Sequence, residues 1–188
     1  MGHTVHDVPV PSVVSMHEGM RHGAMVEING AIHCSHDRFT VELLSGPHVV
    51  LHIDFRMGFG GEHIVVVNSS SNGCWGDEVR AHNPLHHNDH FHLTIKAHHG
   101  HFDIHVNGHH ICDFPHRLPM ESVQAVGFRG MGHVHKVHFD GFGFHHTWGH
   151  HDHGHFGHGG WHGYGTDGYV APVFSEGHHY NSFYNPYG

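Results

Sequence analysis

The fold is decided by the stretch FHLTIKAHHGHFDIHVNG at residues 91–108. Phe91, Leu93 and Ile95 fall on one face of an extended chain, because successive side chains of a strand point to opposite sides. A second alternating run follows and ends in the Asn-Gly dipeptide at 107–108, which is typical of a two-residue hairpin turn. The stretch therefore predicts two antiparallel strands with one buried and one exposed face.

The same two-residue period recurs along the chain in short runs that Gly, Asn and Pro separate. These runs lie at residues 38–44, 49–55, 123–127 and 134–139. Apolar residues spaced for a helix are almost absent. The pattern predicts an all-β protein, a two-sheet antiparallel β-sandwich.

The composition changes sharply at residue 144. Residues 145–188 contain 10 histidines, 10 glycines and 10 aromatic residues, with no lysine or arginine. So little aliphatic surface cannot form a core of its own, which indicates a low-complexity C-terminal tail. We predict an N-terminal extension at 1–7, a folded domain at 8–144 and the tail at 145–188.

Histidine dominates the charge balance, with 34 residues among 188. The formal net charge is −9 with neutral histidines and would be about +25 if every histidine carried a proton. Only 8 lysines and arginines carry fixed positive charge, which argues against a nucleic-acid-binding protein. No stretch is long and apolar enough to predict a membrane span, and the first residues lack the pattern of a secretory signal.

A group of polar side chains surrounds one tryptophan within residues 51–80. Trp75 offers a flat apolar face of the kind that packs on a sugar ring. Glu78 and Arg80 are two residues apart, so on a strand they share a face and can pair. Further donors and acceptors come from His52, Arg56 and Asn68. These residue types indicate a carbohydrate-binding site.

This arrangement resembles the galectin family. The family pattern runs over three adjacent strands as His-x-Asn-Pro-Arg, Val-x-Asn and Trp-Gly-x-Glu-x-Arg. The second and third elements are complete here, at 66–68 and 75–80, and the first is partial. In the first element, Asp54 and Phe55 stand where the family has Asn and Pro. The resemblance extends over roughly residues 8–144.

The resemblance implies a jelly-roll-like sandwich that binds β-galactosides without calcium and requires no cofactor. It implies that His52 and Arg56 contact the axial 4-hydroxyl of galactose, and that Asn68 contacts the 6-hydroxyl. The implied carbohydrate-binding set is His52, Asp54, Arg56, Asn68, Trp75, Glu78 and Arg80. Trp75 would stack on the sugar face, and Glu78 and Arg80 would contact both the galactose and the adjoining sugar.

Asp54 is the departure with the clearest expected effect. An ionised carboxylate only accepts hydrogen bonds, whereas an amide also donates them. A site built for an amide is therefore expected to lose one or two hydrogen bonds at this position, unless Arg56 neutralises the carboxylate. The resemblance also implies synthesis in the cytoplasm and export by an unconventional route, which leaves the location open between cytosol and extracellular space.

The histidines also suggest metal binding and assembly. Histidine is the commonest transition-metal ligand, and the closely spaced histidines predict loose sites for Zn²⁺, Cu²⁺ or Ni²⁺. The predicted ligands are His98, His99, His101, His150, His151, His153 and His155. The tail alternates flexible glycines with groups that stack, which predicts a homo-oligomer or larger assembly controlled by pH or metal.

Two other functions compete with a lectin. One is a structural or assembly protein that uses the sandwich as a building block with weak or lost sugar binding. The other is a histidine-rich protein that binds divalent metals. An enzyme is disfavoured, because so many histidines place some Cys–His pair together by chance, and the three cysteines are predicted to be free thiols.

Overall fold

The computed structural model describes residues 2–33, 37–130, 132–144, 148 and 164–165. Thirteen strands occur in these ranges. They are β1 Gly2–Val8, β2 Ser12–Ser15, β3 Met25–Ile32, β4 Arg38–Ser45, β5 His48–Met57, β6 His63–Ser71, β7 Cys74–Trp75, β8 Val79–Ala81, β9 His90–Ala97, β10 His101–Val106, β11 His109–Pro115, β12 Ala125–Gly130 and β13 Gly132–Asp140. Two short 3₁₀ turns, Phe59–Gly61 and Met120–Ser122, complete the regular structure of the described ranges.

The strands form two antiparallel sheets. The six-stranded sheet has the order β1-β13-β3-β9-β10-β11. The seven-stranded sheet has the order β2-β12-β4-β5-β6-β7, and β8 also pairs with β6. The predicted all-β, two-sheet sandwich is confirmed. Among the described residues, no helix has the length and hydrophobicity needed to cross a membrane.

The core lies between the sheets and is built by the predicted alternation. Leu93 and Ile95 of β9 are fully buried there, as are Phe102 and Ile104 of β10. The intervening side chains of these two strands lie on the outer face of the six-stranded sheet. The Asn-Gly turn also forms as predicted: both of its residues have positive φ, which the type I′ hairpin turn requires.

The alternation is interrupted in several strands, and the interruption in β5 lies beside the motif residues. A register shift between Val49 and His52 interrupts the pairing with β6. Val50 and Leu51 therefore both pack into the core, whereas Val49 joins a small apolar cluster with Leu44 of β4. Such a bulge changes which face the next side chains take, so the residues that follow return to strict alternation with His52 outward.

The first strand extends the sandwich beyond the predicted domain start. We expected residues 1–7 to form an extension outside the domain. Instead, residues 2–8 form β1, which pairs with β13. Only Val5 and Val8 of this stretch are apolar and packed on the core, so the pattern was too weak to signal a strand. The pairing of backbone groups with β13 stabilises it despite that weak pattern.

Two aromatic residues beyond position 144 pack against the sandwich. Trp148 is almost fully buried among Phe139, Phe142 and Phe144, and its Nε1 donates a hydrogen bond of 2.9 Å to Glu18 Oε1. Tyr164 is also buried, in the cluster that contains Leu44 and Val49. The predicted boundary at 144 stays a prediction, since most of 145–188 lies outside the described residues.

Replacing Trp148 by alanine tests whether this residue belongs to the folded unit. We expect Trp148→Ala to lower the free energy of unfolding by about 3–5 kcal/mol, as the loss of a buried aromatic side chain does. Trp75→Ala is the matched control and should cost less than about 1 kcal/mol, because Trp75 is half exposed. Urea unfolding followed by circular dichroism measures both, and equal costs would contradict the buried position of Trp148.

Candidate carbohydrate-binding site

The polar residues of the motif lie on the outer face of the seven-stranded sheet. Pairing of β4, β5 and β6 places Glu42 beside His52, and His52 beside Asn68. One step along the strands, Thr40 lies beside Asp54. The residues between them in sequence point into the core, so a continuous polar row crosses the sheet on the side away from it.

His52 is fixed by a buried carboxylate. Its Nδ1 lies 2.8 Å from Glu42 Oε2, and Glu42 Oε1 accepts a hydrogen bond of 2.7 Å from Arg129 of β12. A carboxylate accepts hydrogen bonds, so the proton of a neutral imidazole sits on Nδ1 and leaves Nε2 as an acceptor. The edge of this ring also packs on Trp75, with centroids 4.7 Å apart.

Asp54 is completely buried and accepts three hydrogen bonds. Arg38 Nε donates to Oδ1 over 2.8 Å, Thr40 Oγ1 donates to the same oxygen over 3.1 Å, and Arg56 Nε donates to Oδ2 over 2.9 Å. Burial alone would raise the pKa of Asp54, but the hydrogen bonds from Arg38 and Arg56 and the charge of Arg38 outweigh it and lower the pKa below its ordinary value. Asp54 thus holds both guanidinium groups in place from beneath.

A chain of ion pairs continues from Arg56 to the edge of the sheet. Arg56 Nη1 lies 3.3 Å from Glu62 Oε1, and Glu62 Oε2 pairs closely with Arg80. Arg80 in turn pairs with Glu78 over 3.0 Å, as its two-residue spacing predicts. The hydrogen bond from Arg80 lowers the pKa of Glu62, so this carboxylate stays ionised and keeps both arginines ordered.

Asn68 is held by backbone and by an arginine from a distant loop. Its Nδ2 donates to the Gly76 carbonyl over 2.9 Å, and its Oδ1 accepts hydrogen bonds of 2.8 Å from Ser69 N and from Arg117 Nη1. A Cβ on Gly76 would lie 2.8 Å from Arg117 Nη1, closer than side chains tolerate. The glycine after Trp75 therefore makes room for this arginine.

Trp75 is the large apolar side chain that stands out from this polar surface. It is 50 % exposed, and no other large hydrophobic residue of the described ranges is exposed. It lies on the short strand β7, where Ser70 of β6 is its pairing partner. A flat indole beside fixed donors and acceptors suits a ligand with one apolar face and several hydroxyl groups, such as a pyranose.

The structure brings the seven motif residues of the sequence prediction onto one surface. Six present exposed or near-surface polar or aromatic groups, and Asp54 differs because no part of its side chain is exposed. The replacement of Pro by Phe55 also has a structural place, since Phe55 is fully buried in the core beside Phe39 of β4. The two residues that depart from the family motif, Asp54 and Phe55, are therefore both buried beneath this surface.

Several residues of this network were missed from the sequence. For two of them the sequence contains a hint, because alternation along β4 places Thr40 and Glu42 on the face away from the core. It does not reveal which side chains they contact. Arg117 gave no signal, because 49 positions separate it from Asn68 and it lies in a loop. The missed residues are Arg38, Thr40, Glu42, Glu62, Arg117 and Arg129.

The predicted metal ligands fall into stacked pairs where they are described. The rings of His98 and His101 stack with centroids 4.8 Å apart, and the ring of His99 stacks on His22 at 4.1 Å. His150, His151, His153 and His155 lie outside the described residues. The prediction that these histidines bind metal therefore stays a prediction.

Comparisons with known proteins agree with this architecture. A family model described as galactoside-binding lectin matches residues 11–139. The chain is 50 % identical over 183 residues to the probable galaptin lec-8 of Caenorhabditis elegans, covering 97 % of this chain and 99 % of that protein. It is 34 % identical over 139 residues to the 32 kDa beta-galactoside-binding lectin of the same organism, covering 71 % of this chain and 49 % of the relative.

A solved structure shares the fold. The crystal structure of the Caenorhabditis elegans galectin LEC-6 superposes with a TM-score of 0.68 at 30 % sequence identity. The match covers 73 % of this chain and 96 % of that one.

The buried Asp54 network predicts a pH-dependent stability. Because its folded-state pKa is lowered, the Asp54 carboxylate stabilises the fold above its unfolded pKa of about 3.9 and loses that contribution as the pH falls through the folded value. At neutral pH, Asp54→Asn should cost about 2–3 kcal/mol, since it removes a charged acceptor from two arginines. The cost should shrink as the pH falls below 3.9 or so.

Urea unfolding of both chains between pH 7 and pH 2.5 measures this difference. Asp7→Asn is the control, because Asp7 lies on the exposed β1 and takes no part in the network. A constant difference between the wild-type and Asp54→Asn chains across this range would show that the Asp54 carboxylate is not the cause.

Proposed function

Because the chain belongs to the galectin family, we propose that it is a lectin that binds β-galactoside glycans on the outer face of its seven-stranded sheet. The family consists of lectins rather than enzymes, and the chain carries their sandwich. The observation that supports the β-galactoside assignment is the half-exposed Trp75 packed beside His52, at one end of a row of fixed hydrogen-bonding groups.

The proposed contacts follow from the groups that remain available at this surface. A neutral His52 presents Nε2 as an acceptor, because its Nδ1–H donates a hydrogen bond to Glu42. Arg56 presents donors, because Asp54 and Glu62 occupy only part of its guanidinium. An acceptor and a donor side by side suit a single hydroxyl group, which both donates and accepts.

Asp54 supports this binding mode rather than weakening it. The amide of the family pattern is replaced by a carboxylate, and Arg38, Thr40 and Arg56 use its acceptor capacity. A sugar hydroxyl therefore does not have to satisfy Asp54. In this proposal the sugar contacts the arginines that Asp54 holds. The hydrogen bonds that an amide at position 54 would have made with the sugar are replaced by hydrogen bonds between Asp54 and the protein.

The test is a comparison of two disaccharides that differ at one carbon. Lactose and cellobiose share the linkage and the reducing sugar, and they differ in whether the 4-hydroxyl of the other sugar is axial or equatorial. We expect calorimetry to detect lactose binding to the wild-type chain and much weaker cellobiose binding. Trp75→Ala should weaken lactose binding about 10- to 100-fold, since it removes the stacking surface.

Lys136→Gln is the matched control, because Lys136 is exposed on β13 of the other sheet and should leave lactose affinity unchanged. Equal affinity for the two disaccharides, or a Trp75→Ala chain that binds lactose as the wild type does, would contradict the proposal. An absence of lactose binding would instead favour the structural or assembly protein that competes with the lectin.

Self-association controlled by pH or metal is a separate proposal. Its support is the set of stacked histidine pairs, of which His22–His99 and His63–His86 have centroids 4.1 and 4.8 Å apart. Protonation would place like charges within each pair and make the surface more positive. Sedimentation of the full chain at pH 7.5 and 5.5, with and without Zn²⁺, should show a change in mass, and a constant monomer would contradict it.

A further inference from the structure

The edge of the six-stranded sheet carries a compact group of histidines and aspartates, far in the fold from the sugar-binding face. It consists of Asp103 and His105 on β10 and His110 and Asp113 on β11, and we call it the His–Asp cluster. Register pairing sets Asp103 opposite Asp113 and His105 opposite His110. A bulge in the pairing after Ile104 brings the two histidines into line. The four side chains therefore occupy neighbouring positions on the outer face.

Ligand atoms of three of its four residues lie close together in space, and Asp113 adjoins one of them. Atoms of Asp103, His105 and His110 all lie within 4.8 Å of one another, and no other such trio of His, Cys, Asp or Glu occurs in the described part of the chain. Nε2 of His105 is 2.9 Å and Nε2 of His110 is 3.5 Å from Asp103 Oδ1. Nε2 of His110 is also 3.0 Å from Asp113 Oδ1.

These separations match those of ligands around a metal ion. Zinc bonds of 2.0–2.1 Å or so at tetrahedral angles place neighbouring ligand atoms about 3.4 Å apart. The cluster offers two imidazole nitrogens and two carboxylate oxygens, a donor set that divalent zinc accepts. Small side-chain rotations on two adjacent strands suffice to reach that spacing.

One carboxylate oxygen of the cluster has no conventional hydrogen bond. Asp103 Oδ1 is enclosed, yet none of the described residues gives it a hydrogen bond of acceptable geometry, although two imidazole nitrogens lie near it. Like charges directly opposite each other on paired strands are destabilising. Lys96 is the neighbour of Asp103 on β9, but within the described ranges no lysine or arginine forms an ion pair with either carboxylate.

From this geometry we propose that Asp103, His105, His110 and Asp113 form a binding site for a divalent transition-metal ion, with zinc as the probe. The site is open to solvent, since the Asp103 side chain is 25 % exposed and the other three are more exposed. His98 and His101 lie beside it, near Asp103 and Asp113. It differs from a run of neighbouring histidines because its ligands come from two strands held in register. The fold, and not local sequence, assembles it.

This difference gives the proposal a specific readout. A site that exists only in the folded chain stabilises that state, so zinc raises the Tm. Zinc bound by neighbouring histidines that need no fold binds the folded and unfolded chains alike and adds little to the Tm. The zinc-dependent shift in Tm therefore distinguishes zinc bound at this site from zinc bound by other histidines of the chain.

The experiment compares three full-length chains, each treated with chelator and then titrated with zinc alone. They are the wild type, the site variant His105→Gln/His110→Gln and the control His6→Gln/His82→Gln, whose histidines are exposed on other elements. Competition with a chromophoric chelator gives the affinity and number of zinc ions, and thermal unfolding gives the Tm. We expect the site variant to lose one ion, with its binding weakened about 100-fold or more, together with the zinc-dependent rise in Tm.

The control should keep both the ion and the Tm rise. If the site variant does not fold, Asp103→Asn/Asp113→Asn tests the same site, and removing two facing carboxylates does not threaten the fold. A wild-type chain without a zinc-dependent rise in Tm would overturn the proposal, as would a rise that the site variant shares. Lactose affinity should be the same in all these chains. The zinc result therefore does not depend on whether the lectin proposal is correct.

Discussion

The pairing register of β4 with β5 is the constraint on which the rest of the structure depends. It sets Val41 opposite Ile53 on the core face, and in the same step it sets Thr40 opposite Asp54 on the outer face. Because side chains alternate with a period of two, a slip of one residue would expose the apolar set and bury the charged one. The core and the proposed sugar-binding surface are thus the two faces of one strand pairing.

The charged row on the outer face is tolerated because every buried charge has a partner. Asp54 and Glu42 are both almost inaccessible to solvent, and burying a carboxylate without a partner is costly. Each is matched by an arginine, Arg38 and Arg56 for Asp54 and Arg129 for Glu42. The same pairs hold the side chains of these arginines and of His52 in place, so a sugar bound at the proposed site would not have to order them.

The sequence was sufficient for the fold class and for the motif, because both rest on local patterns. Alternation identifies β9 and β10, and the two-residue spacing within Trp-Gly-x-Glu-x-Arg predicts the contact that Glu78 and Arg80 make. The bulge in β5 could not be predicted, since Val49, Val50 and Leu51 are all apolar and fit either face. The partners Glu42 and Arg117 depend on register and on a loop, neither of which a single sequence determines.

The shape of β11 limits how copies of this chain can meet. In the described part of the chain it is the edge strand of the six-stranded sheet, and it carries a bulge beside Ile111, a charged Asp113 and a terminal Pro115 that has no N–H to donate. Each of these features hinders the addition of another strand to an open sheet edge. Contact between copies at this edge must therefore run through side chains and cannot continue the sheet, which protects a protein so rich in β-structure from fibrous aggregation along this border.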